Sequence, residues 1–153
     1  MTDLASHLSL LVSAFLSATL LPGFSEVLLA GLVLLNPASP ASLFAVATIG
    51  NTAGSLVNWY LGRSLVHFAD RRWFPVSTQR INEASALFHR YGSWALLFSW
   101  LPIVGDALTV TAGALQIRLM LFLPLVAIGK ATRYLFVVAE VELVRTTAPL
   151  GAS

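Results

Sequence analysis

Leu20-Leu21-Pro22-Gly23-Phe24-Ser25-Glu26 runs into the nine apolar residues 27–35 (VLLAGLVLL) and then the uncharged turn Asn36-Pro37-Ala38-Ser39-Pro40. The fold turns on how this segment is read. Nine helical residues cover roughly 14 Å, about half of a ~30 Å bilayer core. A half-length apolar helix after a Pro-Gly break is the sequence sign of a re-entrant hairpin, which enters the membrane and returns to the same side.

Four further apolar stretches surround it. The first, 4–21, is flecked with Ser6, Ser9, Ser13 and Ser17 and is long enough to span by itself. The third, 41–62, is of spanning length. A charged connector, 63–92, separates it from a fourth stretch, 93–117, which breaks at Pro102 and Gly105-Asp106 into the short pieces 93–101 and 107–116. The fifth is 119–139. Two ordinary kinked helices are the alternative to two re-entrant hairpins, but a kink does not explain the short lengths.

The whole composition agrees with a bilayer setting. Of 153 residues, 57% are hydrophobic and 10% charged, and the mean hydropathy is +0.80. Soluble domains carry about 25% charged residues. So few charges could not cover the surface of a small water-soluble protein. A soluble enzyme, a disordered tail and a nucleic-acid module are thereby excluded. No cysteine is present, which removes disulfides, thiol catalysis and thiolate metal sites. Met1-Thr2-Asp3-Leu4 lacks the basic start of a secretory signal, so the apolar first stretch is expected to be retained.

Charge then sets the expected topology. Arg63, Arg71, Arg72, Arg80 and Arg90 face only Asp70 and Glu83 across 63–90, a net of +3, whereas the turn 36–40 carries no charge. The positive-inside rule puts 63–92 in the cytoplasm and both chain ends outside. Within the connector, Ile81, Ala84, Leu87, Phe88 and Tyr91 recur at helical spacing. This predicts an interfacial helix over 78–91, capped by Ser77 or Thr78.

The two breaks resemble each other. Leu21-Pro22 and Leu101-Pro102 are each followed, four residues after the proline, by a carboxylate: Glu26 and Asp106. Gly50-Asn-Thr-Ala-Gly54 and Gly129-Lys-Ala-Thr-Arg133 recur at nearly the same offset. Each half is a hairpin plus a spanning helix, so each crosses an odd number of times. The expected fold is all-α: a polytopic membrane protein with two re-entrant hairpins and spanning helices in an inverted repeat, plus one interfacial helix. It forms a single membrane domain, with repeat one at about 4–62, repeat two at about 93–140 and a short tail at 141–153.

Charges inside apolar sequence are the candidate site. A charge at mid-bilayer costs about 3 kcal/mol on insertion scales, so it persists when paired or lining a polar path. Glu26 and Asp106 begin half-helices, where free N–H groups and the helix dipole stabilise an anion. They read either as helix caps or as a protonatable, transport-linked pair. Lys130 and Arg133 share a face of the last helix and read as their counter-ions or as headgroup contacts. Pro22, Gly23, Pro102 and Gly105 mark the hairpin breaks. Gly50, Gly54, Gly113 and Gly129 read as close-packing positions. Asn51, Thr52 and Asn58 could hydrogen-bond across the third helix or line a path. Trp59, Tyr60, Trp73, Trp94 and Tyr134 read as interface anchors or packing. His7, His67 and His89 lack metal-ligand spacing, and no cofactor motif or catalytic motif occurs.

These strings together resemble the DedA, or VTT-domain, family, and most closely its YqaA-like branch. They are Leu20 to Glu26, Gly50…Gly54…Tyr60-Leu-Gly62-Arg63, Phe88-His-Arg90-Tyr-Gly92, Trp100 to Asp106, Ala112-Gly113 and Gly129-Lys130…Arg133-Tyr134. They run in family order over about 20–140. The resemblance implies a bacterial inner-membrane protein with two facing re-entrant hairpins. It also implies movement of phospholipids or polyprenyl-phosphate carriers, often with proton-motive force. It carries the hairpin glutamate over to Glu26 and the Gly-Arg after the third helix to Gly62-Arg63; Arg63 reads as a cytoplasmic-side headgroup contact or counter-ion. The chain departs from the mainstream family, which has arginines three residues before and after the second-hairpin proline. Here those positions are Ser99 and Gly105, which weakens phosphate recognition.

The expected function is therefore a proton-linked transporter or scramblase of lipids or lipid-phosphates, not an enzyme. A chain this small could need a second copy to enclose a path. The rival is an assembly partner that buries its charges against another membrane protein and moves nothing alone. A membrane enzyme acting on lipid would need a nucleophile or metal motif, and none is found.

Overall fold

Apolar length decides which segments can cross a bilayer. In the computed structural model, residues 2–19, 24–35, 39–65, 77–102 and 104–147 are described, and all their regular structure is helical. The elements are α1 (Thr2–Thr19), α2 (Phe24–Leu35), α3 (Pro40–Leu65), α4 (Thr78–Tyr91), a 3-10 segment (Gly92–Trp100), α5 (Val104–Ala114) and α6 (Leu119–Thr147). Helices α3 and α6, with 26 and 29 residues, are long and apolar enough to span. At 1.5 Å per residue they measure roughly 39 and 43 Å. The 12 residues of α2 and the 11 of α5 reach only about 18 and 16 Å.

The first break, at Pro22 and Gly23, lies outside the described residues, as do Arg71 and Arg72 of the connector. The second break is narrower than the sequence suggests. Helix α5 already begins at Val104, so Gly105 is not part of the break but sits in the first turn. There its α-carbon lies against the backbone carbonyl of Ser99, where a β-carbon would collide. The arm before the break is not an α-helix either: Gly92–Trp100 is a nine-residue 3-10 run, whereas such runs seldom exceed about 3–4 residues.

Helix α4 covers the predicted 78–91 and buries Ala84 and Phe88. These pack with the 3-10 segment, α5 and the first half of α6, so its apolar face covers protein. Tyr91, expected on that face, is exposed. Ser77 stands at the N-cap, but its side chain makes no capping hydrogen bond; only its carbonyl accepts from the Ile81 N–H. Gly92 ends the helix at φ 58°, a conformation that costs glycine little.

Packing crosses between the two halves of the chain. Helix α1 lies along α3 and the 3-10 segment along α6, while α2 packs on α6 and α5 on α3. The crossing of α3 and α5 is backbone on backbone. The Val110 carbonyl meets Gly62 and the Trp59 carbonyl meets Gly113, so neither position has room for a β-carbon. Gly50 and Gly54 lie in the same way against Leu11, Ala14, Phe15 and Ala18 of α1.

Two apolar cores result. One joins α4, the 3-10 segment, α5 and Phe122 and Val126 of α6. The other joins Leu10, Leu29, Val33, Leu43 and Ala47 to Tyr134 and Val141 of α6. Large aliphatic residues that pack on neither remain exposed along α1, α2 and α6, including Leu8, Val12, Val27, Leu34, Ile128 and Leu135. An apolar exterior of this extent suits lipid rather than water.

Candidate functional site

Between the two cores lies a polar layer, near the middle of both long helices. Helix α6 contributes Lys130, Arg133 and Tyr134, all buried. Helix α3 contributes Asn51 and Asn58, also buried. The two short helices each present a carboxylate at their third residue, Glu26 on α2 and Asp106 on α5.

The carboxylates and cations pair off. Lys130 Nζ donates to Asp106 Oδ1 at 3.3 Å. Arg133 pairs with Glu26. The two cations are one turn apart on α6, so a single helix holds the carboxylates of both short helices at once. The four charges cancel, which satisfies the requirement for burying ions in an apolar medium. The two pairs differ in exposure. Lys130 and Asp106 side chains are 1% and 20% exposed, those of Arg133 and Glu26 9% and 29%.

Tyr134 belongs to the same layer. Fully buried, it is not an interface anchor: its ring packs in the second core, and its hydroxyl is hydrogen-bonded as well. Its hydroxyl accepts from Asn51 Nδ2 at 2.7 Å and shares a 2.8 Å hydrogen bond with Ser25 Oγ. This chain links α2, α3 and α6 beside Glu26. Asn58, two turns after Asn51, donates to the Ala18 carbonyl at 2.7 Å and to Thr109 Oγ1 at 3.4 Å. Both asparagines therefore fasten α3 to its neighbours. Ser99, where the mainstream family carries an arginine, is fully buried, and its hydroxyl lies against Gly129.

Arg63 is not part of this layer. It lies exposed near the end of α3 with its guanidinium 5.3 Å from the Trp59 ring centroid, a cation–π contact. Trp59 in turn donates to the Ile117 carbonyl at 3.1 Å.

The Arg133–Glu26 pair opens onto a cavity of about 350 Å³. Trp100, Pro102, Phe136 and Val137 form its apolar walls, and Glu140 adds a third ionisable group. Glu140 falls one residue past the last apolar stretch, 119–139, and its residue type alone assigned it no role there. The signal that could have found it is its spacing, seven residues after Arg133, which brings both to one helix face. Among the described residues, no three His, Asp or Glu side chains converge as a metal ion would require.

Fold and site together define a small helical membrane protein with its ionised groups paired across the centre of the bundle. The VTT domain matches residues 10–142, and the chain belongs to that family, the DedA family. It is 42% identical to the inner membrane protein YqaA of Escherichia coli over 141 residues, 91% of this chain and 93% of that protein. An uncharacterized protein of Haemophilus influenzae is 37% identical over 130 residues, 80% of this chain and 79% of its own length. An uncharacterized membrane protein of Mycobacterium tuberculosis is 28% identical over 118 residues, 72% of this chain and 51% of its own. No solved structure matches the chain. With two helices able to span and this kinship, the chain is an inner-membrane protein.

Proposed function

We propose that the protein moves a lipid or lipid-phosphate across the inner membrane, with proton binding at Glu26 as the coupling event. The observation that carries this reading is the pairing of two hairpin-helix carboxylates with two cations on one spanning helix. Structural helices rarely keep four ionised groups in an apolar layer, and such groups usually mark substrate or proton pathways. Glu26 is the transport-linked carboxylate because its pair borders the cavity. Asp106 and Lys130 hold α5 onto α6 and stay neutral as a pair while Glu26 changes state.

The short lengths of α2 and α5 support a re-entrant reading for α1–α2 and for the 3-10 segment with α5. The crossed packing of α2 on α6 and α5 on α3 supports an inverted repeat, in which each hairpin docks on the other half's spanning helix. The connector 63–92 would then be cytoplasmic. The assembly-partner alternative loses its main motive, because all four layer charges find partners within the chain.

Proteoliposomes holding the purified full chain test the reading. Labelled phospholipid and polyprenyl-phosphate are followed across the bilayer with and without a pH gradient. Movement of either lipid, faster with the gradient, is the expected result. A well-folded protein that moves neither lipid sinks the proposal and returns the assembly-partner reading.

A further inference from the structure

The transport reading leaves two substrate classes, and the charges around the cavity separate them. Glu26 and Arg133 neutralise each other. Glu140 remains, so the ionisable groups that line the cavity sum to one negative charge. No other lysine or arginine lines it among the described residues. A lone phosphate would enter a negative, largely apolar space whose arginine is already engaged. A positively charged group would meet the opposite situation.

We infer that this cavity takes an amphipath bearing an ammonium group, held between the Glu140 carboxylate and the Trp100 ring. Three observations converge. Glu140 stands two turns beyond Arg133 on the same face of α6 and lines the same cavity. Trp100 stands across from α6 at the end of the 3-10 segment and lines the same space. Indole faces and carboxylates both attract ammonium ions in partly desolvated sites. Pro102, Phe136 and Val137 supply apolar wall for the alkyl part. Two sources share this chemistry: the zwitterionic headgroup of an aminophospholipid and a simple amphipathic amine. The inference rests on the lipid-transport reading and narrows its substrate.

The test measures equilibrium binding to the full chain in nanodiscs of an anionic lipid. The probes share one alkyl chain and differ only in headgroup: an alkylamine, an alkyl phosphoethanolamine and an alkyl phosphate. At least one ammonium-bearing probe should bind about tenfold more tightly than the alkyl phosphate, the scale of one charge-assisted contact. Glu140→Gln should remove most of that preference, and Trp100→Leu should weaken ammonium binding by roughly threefold. A thermal melt of each variant confirms that it is folded. Best binding by the phosphoethanolamine identifies a zwitterionic headgroup; best binding by the amine identifies a simple cation. Alkyl phosphate binding as tightly as both, or a preference untouched by Glu140→Gln, overturns the inference. Ammonium preference without lipid movement in proteoliposomes keeps the site and removes the transport reading. Lipid movement without ammonium preference does the reverse.

Discussion

The two ion pairs on α6 use the same chemistry in different surroundings. Lys130 and Asp106 sit where α5 meets α6, with Lys130 almost wholly withdrawn from the surface. Arg133 and Glu26 sit where α2 meets α6 and border a cavity. A pair whose cation is buried away from any cavity cannot separate without leaving that charge bare in apolar surroundings. A pair beside a cavity can separate if water or a ligand takes over one partner. The first arrangement suits a fastener and the second suits a working site.

Several substitutions break or sharpen that contrast. The largest effect is expected for Lys130→Met, which strands Asp106 without its cation. Loss of one partner of a buried pair costs about 3–5 kcal/mol. The variant should therefore lose most of its folded, monodisperse yield, and adding Asp106→Asn should restore much of it. Arg133→Met should cost less, about 1–3 kcal/mol, because Glu26 can be hydrated from the cavity. Thermal unfolding in detergent compares the two directly, and equal losses would erase the distinction. Tyr134→Phe removes the hydroxyl shared by Asn51 and Ser25. A loss of about 1 kcal/mol is expected, the usual size of a hydrogen bond between membrane helices. The smallest effect lies outside both pairs. Gln116 lies in the turn two residues past α5 at φ 55°, a left-handed conformation in which glycine is easier. Gln116→Gly should raise stability by up to about 1 kcal/mol, and a fall would contradict the geometry.

Much of this contrast was legible in the sequence. Burial of a charge is expensive everywhere in a bilayer, so Glu26, Asp106, Lys130 and Arg133 stood out against apolar neighbours. Helix period alone put the two cations on one face. Which cation meets which carboxylate depends on how α2 and α5 cross α6, and no local pattern encodes a crossing. Tyr134 misled for a similar reason. An aromatic ring with a hydroxyl suits a membrane interface equally well, and only the approach of Ser25 and Asn51 makes it a buried hub. The 3-10 form of Gly92–Trp100 was hidden because its apolar run has no period that distinguishes it from an α-helix. Glu140 was missed because it lies beyond the apolar stretch, although α6 carries its helix on through that position to Thr147.

The most direct measurement is the lipid translocation rate of Glu26→Gln beside that of Asp106→Asn, in the same vesicles and normalised to folded protein. Glu26→Gln should still fold, with a loss no larger than that of Arg133→Met, and lose gradient-driven translocation. Asp106→Asn should fold in lower yield yet retain most of its rate per folded molecule. Wild-type translocation by Glu26→Gln would contradict the assignment of the working carboxylate.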